Sequence, residues 1–152
     1  MDKAIRLGKP ALLAVVLALL LMSAGSCALT GETSESKVNW LYDWNEALDK
    51  AQNENKPIMI DFYSDRCPPC KRLDSDTYSD ENLSAFLNNN FISLKSNVEK
   101  SDLYRDYGVP GFPTIIFTLP DGTAIGGIVG YRPPDQFYQY TQEVLDWWKS
   151  HS

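Results

Sequence analysis

The sequence predicts an α/β fold in which a central mixed β-sheet carries helices on both faces. Three observations lead there. Ile58-Met59-Ile60-Asp61-Phe62-Tyr63 is apolar at almost every position, the pattern of a central strand covered on both sides. Helical stretches alternate with such strands, and a βαβ order implies a right-handed crossover and a parallel pair. Pro120-Asp121-Gly122 then separates two further strand patterns as a hairpin turn, which adds antiparallel strands.

Trp44, Leu48 and Ala51 recur at i, i+4 and i+7 behind Asp43, an N-cap residue, so 43–53 reads as an amphipathic helix. Asn55-Lys56-Pro57 breaks it before the 58–63 strand. A helix is expected to begin at Cys67-Pro68-Pro69-Cys70 and to continue through Lys71, Arg72 and Leu73. Residues 81–87 place Leu83, Phe86 and Leu87 on one side of a second helical stretch. A strand follows over 91–98, then a short helix over 102–107 stopped by Gly108. Strands over 114–119 and 124–129 flank the hairpin turn. The last helix, about 134–149, sets Phe137, Tyr140, Val144 and Trp148 near one face, with Trp147 and Trp148 expected to pack it onto the sheet.

Residues 1–26 read as an export signal. Lys3, Arg6 and Lys9 form a basic start, and Ala11 to Met22 is an apolar run shorter than the ~20 residues that span a bilayer. Ser23-Ala24-Gly25-Ser26-Cys27 resembles the lipobox of bacterial lipoproteins, which implies lipidation of Cys27, although Ala24 stands where that motif usually has Leu. Ordinary cleavage near Ala24 to Ala28 is the alternative. Either route takes the domain out of the cytoplasm. Residues 27–37 are then a lipidated cysteine and polar tether, and 38–152 the folded domain. Loss of the leader removes Lys3, Arg6, Lys9 and Asp2, taking the formal charge from −6 to −8. So acidic a domain argues against nucleic-acid binding and against adhesion to anionic lipid through a basic patch.

Cys67 and Cys70 are the chemistry-bearing pair. A strand that delivers C-x-x-C onto a helix N-terminus makes a dithiol able to close into a disulfide and reopen. Zinc needs two further ligands, and only Cys27 and His151 remain, one near each end, so no metal is expected. A purely structural disulfide is the stronger alternative in an oxidising compartment. At the helix N-cap Cys67 meets the positive end of the helix dipole, which favours thiolate, and Arg66 adds a charge beside it. Pro68 suits the first helical position, but Pro68 and Pro69 both lack the N–H that would stabilise the thiolate. The dipeptide also lacks a histidine, so a mildly rather than strongly activated thiol is expected, which favours a reductant over an oxidant. Cys70, one turn deeper, is the resolving thiol and needs a base. Asp61 lies mid-strand among apolar residues, where an ionised carboxylate is costly and its pKa rises into a range useful for proton transfer. A strand-end Asp61 that merely bonds backbone is the alternative.

Several spaced motifs together carry a resemblance over roughly residues 40–150. They are Trp44, Ala47 and Leu48; Lys56-Pro57-Ile58; Asp61-Phe62-Tyr63; Cys67-Pro68-Pro69-Cys70-Lys71; and Val109-Pro110-Gly111-Phe112-Pro113-Thr114. The chain resembles the thioredoxin superfamily, and within it periplasmic thioredoxin-like proteins similar to the C-terminal domain of DsbD-type thiol:disulfide interchange proteins. The resemblance implies a thioredoxin-like fold and a buried acid at Asp61. It implies a neighbouring lysine at Lys95, for which solvent exposure is an equal alternative. It also implies a cis bond before Pro113, with the Phe112 backbone open to an extended substrate beside Cys67. Thioredoxins usually carry Trp before the first cysteine; Arg66 stands there instead and puts that substrate-facing indole in doubt.

The function expected is a cell-envelope thiol–disulfide oxidoreductase of the bacterial periplasm, a membrane-anchored, monomeric lipoprotein that reduces disulfides of exported proteins. Catalysis would fall to Cys67, Cys70, Asp61 and Lys95, and substrate contact to Arg66, Pro68, Pro69, Phe112 and Pro113. Its redox-active disulfide would serve without a cofactor, recharged by an upstream electron donor. An oxidase or isomerase, a non-enzymatic binding module with a structural disulfide, and a metallochaperone are the alternatives. Tyr63 and Tyr78 read as core or groove residues, His151 as an inert end, and Asp74, Asp76, Asp80 and Glu81 as a solvated face.

Overall fold

A computed structural model describes residues 35–152. The expected leader, Cys27 and most of the tether lie outside the described residues. Ten elements follow one another: β1 (Trp40–Leu41), α1 (Trp44–Glu54), β2 (Ile58–Tyr63), α2 (Pro68–Arg72), α3 (Glu81–Asn90), β3 (Ile92–Asn97), α4 (Leu103–Asp106), β4 (Thr114–Thr118), β5 (Ala124–Val129) and α5 (Pro134–His151). Among the described residues no helix is long and apolar enough to cross a membrane.

The five strands form one mixed sheet in the order β1-β3-β2-β4-β5. β1, β3 and β2 run parallel, while β4 and β5 are antiparallel additions. β2 therefore sits at the centre, which is why its sequence is apolar on both faces. Its residues alternate between two cores. Ile58, Ile60 and Phe62 pack with Ala47 and Ala51 of α1 on one side. Met59 packs on the other with Leu73, Tyr78, Leu83, Leu87 and Phe137. Helices on both faces are thus built in by the period-two pattern of one strand.

Most boundaries follow local chemistry. Asp43 caps α1 by accepting the Glu46 N–H at 2.9 Å, and Asp80 caps α3 by accepting the Leu83 N–H at 2.8 Å. Gly108 ends α4 with φ of 60°. Two features escape the periodicity. β1 is only two residues long and exists because it pairs with Ser93 and Leu94 of β3. After Arg72 the helix widens into a π-helical turn, Leu73–Thr77, rather than simply ending. That turn buries Leu73 and Thr77 together, and the Thr77 hydroxyl donates to the Arg132 carbonyl at 2.6 Å.

The last helix corrects one expectation. Trp148 packs against the core, but Trp147 is exposed and stacks on His151 with ring centroids 4.3 Å apart. The two residues are adjacent on a helix, about 100° apart, so only one of them reaches the sheet.

Gly127 of β5 leaves no room for a side chain. A Cβ there would sit 2.9 Å from the Ile115 carbonyl oxygen and 2.9 Å from Ile116 Cδ1. Gly127→Ala should lower stability by about 1–3 kcal/mol, since backbone has to move to make room. Chemical denaturation of the oxidised protein checks this; an unchanged midpoint would show that the β4–β5 pair yields easily.

Candidate active site

The C-terminal end of β2 and the N-terminal end of β4 lie side by side, because Phe62 pairs with Thr114 in the antiparallel register. The loop leaving β2 carries the cysteines, and the loop entering β4 carries Pro113. Sheet topology alone thus sets residues some 45 positions apart at one end of the molecule.

Cys67 is the N-cap of α2, as the sequence predicts, with extended backbone at φ −100° and ψ 100°. Its Sγ accepts the Cys70 N–H at 3.2 Å, the one nearby donor left once Pro68 and Pro69 occupy the first turn. The two sulfurs are joined in a disulfide with Cα atoms 5.3 Å apart. Cys67 keeps 8% exposure against 4% for Cys70, and both prolines beside them are exposed. Cys67 is thus slightly the more accessible residue of the two. Arg66 is exposed next to it, in a loop held from behind by Asn97, whose amide donates to Asp65 at 2.9 Å.

The Phe112–Pro113 peptide bond is cis. Pro113 is buried, Phe112 is half-buried with its ring edge-on to Tyr104, and the Thr114 hydroxyl closes the turn on the Gly111 carbonyl at 2.7 Å. The Pro113 carbonyl accepts the Gly130 N–H at 2.8 Å, which ties this loop to the end of β5.

Asp61 lies in mid-strand, 1% exposed, paired in register with Lys95 on β3 and Ile115 on β4. Its Oδ1 has no hydrogen-bond partner among the described residues. The strand-end alternative is thereby excluded. Burial pushes the Asp61 carboxyl up from its ordinary 3.8 to about 7, against the pull of Lys95 and with a push from Asp74. Alternation puts Asp61 on the same side of β2 as Met59, the side covered by the helical segment that begins with the cysteines. Tyr78 closes that side. It is fully buried, its hydroxyl lacks a partner among the described residues, and burial raises its pKa well above the ordinary range.

Lys95 is not exposed. Its side chain keeps only 10% of its surface, and its ammonium lies 5.2 Å from the Tyr63 ring, 5.3 Å from Trp40 and 5.9 Å from Tyr78. The ion pair it makes is with Asp74 of the π turn. Asp74, expected on a solvated face, is half-buried against Lys95 and keeps 35% of its side-chain surface. Asp76 instead pairs with Arg72 at 3.0 Å and Glu81 with Lys37 at 2.8 Å, both on the surface. Sequence reasoning missed Asp74 because it sits in a run of acidic residues, and nothing in the spacing records that Lys95, 21 positions away, lies against it. Its place four residues after Cys70 was the one available signal. Among the described residues no group of three or more His, Cys, Asp or Glu side chains stands together to hold a metal.

A redox-closable cysteine pair at a helix N-terminus, a proline loop facing it and a buried acid behind it define the thiol–disulfide oxidoreductase class. Comparison with known proteins agrees. The family model for the thioredoxin-like domain matches residues 44–145, and the chain belongs to that family. The thiol:disulfide interchange protein DsbD of Yersinia pestis is 33% identical over 100 residues, which cover 62% of this chain and 17% of that protein. DsbD of Vibrio vulnificus is 28% identical over 77% of this chain. The chain thus spans about a fifth of the length of these curated relatives. A thioredoxin from Thermus thermophilus superimposes with a TM-score of 0.64 at 31% identity, over 71% of this chain and 87% of that one. The oxidised C-terminal domain of Neisseria meningitidis DsbD shares the fold, with a TM-score of 0.58 at 22% identity over 68% of this chain and 97% of that one.

The buried carboxyl has a consequence for stability. The folded protein holds the Asp61 proton up to about pH 7, whereas the unfolded chain releases it near 3.8. Folding therefore loses favour as pH rises from about 4 through about 7. Asp61→Asn should make the oxidised protein more stable at pH 8, by about 2–4 kcal/mol, with the gain fading as the pH falls to 4. Urea titrations at the two pH values measure it; an equal effect at both would mean that Asp61 is not titrating.

Proposed function

We propose that the chain is a cell-envelope protein-disulfide reductase, working through Cys67 and Cys70 on exported proteins. The observation that carries this is the Cys67–Cys70 disulfide at a helix N-terminus, on the side of the sheet where an acid with a pKa of about 7 is buried. In the reduced state Cys67 attacks one sulfur of a substrate disulfide. A mixed disulfide forms on Cys67, and the other substrate sulfur leaves as a thiolate that takes up a proton. Asp61 accepts the Cys70 proton, and the Cys70 thiolate attacks Cys67 Sγ. The Cys67–Cys70 bond forms as the mixed disulfide breaks, so the substrate departs with two electrons and the domain is left oxidised. A dithiol donor must then return two electrons.

Direction follows from how little the Cys67 thiolate is supported. One backbone N–H reaches Sγ, the two intervening prolines offer none, and no histidine lies between the cysteines. A modestly stabilised thiolate makes a reducing couple. Lys95 serves this reading as the cation nearest Asp61 in register rather than as a group that touches the sulfurs. The exposed Arg66, Pro68 and Pro69, with the backbone of Phe112 and Pro113, frame the surface on which an extended substrate segment lies. We place the domain in the bacterial periplasm as a monomer held to a membrane through lipid on Cys27, without any cofactor besides its disulfide. The lipobox-like run before Cys27 supports the anchor.

Equilibration with glutathione tests the direction: a potential near about −270 mV is expected, and one near about −120 mV would make the protein an oxidant. In cells, Cys70→Ser should accumulate mixed disulfides through Cys67, while Cys67→Ser should accumulate none. If Cys67→Ala keeps full activity, the disulfide is a staple and the domain a binding module.

A further inference from the structure

We propose that Asp74 is a positioning residue: by holding the Lys95 ammonium in an ion pair of its own, it keeps that cation off Asp61 and leaves the Asp61 carboxyl as an uncompensated proton acceptor. This rests on the reading of Asp61 as the base for Cys70. The geometry is specific. Lys95 is the register partner of Asp61 on the adjacent parallel strand, so it is the cation placed to neutralise that carboxyl. Its Nζ nevertheless contacts Asp74 Oδ1, while Asp61 Oδ1 stays unpaired among the described residues.

Three aromatic rings fix the ammonium where it is. Trp40, Tyr63 and Tyr78 come from β1, from β2 and from the end of the π turn, at 5.2–5.9 Å. Such contacts stabilise a cation without neutralising it. The remaining charge must be met by a carboxylate, and two compete. Asp74 has the advantage, because it keeps 35% of its side-chain surface and so retains more hydration when ionised than Asp61, which is fully enclosed. Asp74 and Lys95 share the lining of an open groove with Trp40, Tyr42 and Lys71. Asp74 lines this groove, while the apolar Leu73 beside it turns into the core.

The groups that face Asp61 are few. β3 contributes Lys95, the π turn Asp74, and the residue after it Tyr78; β4 contributes the apolar Ile115, and α2 begins with the cysteines themselves. Removing the Asp74 charge therefore acts on Asp61 by two routes. A repelling carboxylate disappears, and Lys95 is released to turn toward Asp61. Both make Asp61 a stronger acid and a poorer base for Cys70.

The test follows the Asp61 carboxyl itself by carbon NMR in the oxidised protein, with no substrate present. Asp74→Asn should move its titration midpoint down by about one pH unit or more, and Asp74→Glu should restore it. Lys95→Gln should move it up. The deciding comparison is Asp74→Asn made in the Lys95→Gln background: if Asp74 works by holding Lys95, its effect there falls to less than half. An unmoved midpoint in Asp74→Asn, or an undiminished shift in the double variant, overturns the proposal. Release of a trapped mixed disulfide from Cys67 is read separately. Should Asp61 titrate as expected while the pH profile of release stays put, Asp74 still holds Lys95, and it is the role of Asp61 as base that falls.

Discussion

One carboxyl group without enough compensation organises this site. Asp61 occupies the middle of the central strand, where water is excluded and an ionised acid is disfavoured by several kcal/mol. The protein does not remove that penalty by pairing the acid with the lysine beside it. It leaves the acid poised between its two protonation states, with a midpoint of about 7. Under the proposed mechanism such an acceptor takes and returns the Cys70 proton near neutral pH, which a fully paired carboxylate would not supply.

The neighbouring features make sense against that constraint. Lys95 is wrapped by Trp40, Tyr63 and Tyr78 and paired outward to Asp74, so its charge is stabilised near the acid without neutralising it. Tyr78 contributes a ring to that enclosure, stacks edge-on against Trp40 at 4.9 Å and Phe137 at 5.6 Å, and thereby links the lysine to the main core. At the start of the π turn Leu73 enters the core, while Asp74 beside it reaches Lys95.

The outer half of the site depends on sheet order. Because β4 runs antiparallel beside β2, the loop that enters β4 lies next to the loop that leaves β2. The proline segment and the cysteine pair thus share one end of the molecule with no contact needed to recruit them.

Much of the arrangement was legible in the residues alone, and for local reasons. The apolar run from Ile58 to Tyr63, the caps at Asp43 and Asp80, the turn at Pro120-Asp121-Gly122 and the cysteine pair after a strand each declare themselves within a few positions, because hydrophobic period and backbone preference act over one or two turns. Those signals determined the α/β class, the mixed sheet and the two sulfurs. What they left open was every matter of partnership. That β1 exists at all, that Lys95 is enclosed rather than solvated, that Asp74 pairs with it from the rim of a groove, and that Trp147 faces outward while Trp148 packs were decided only in three dimensions. A charge or a ring chooses its neighbour by what long-range packing brings within a few ångströms, and sequence spacing carries no record of that distance.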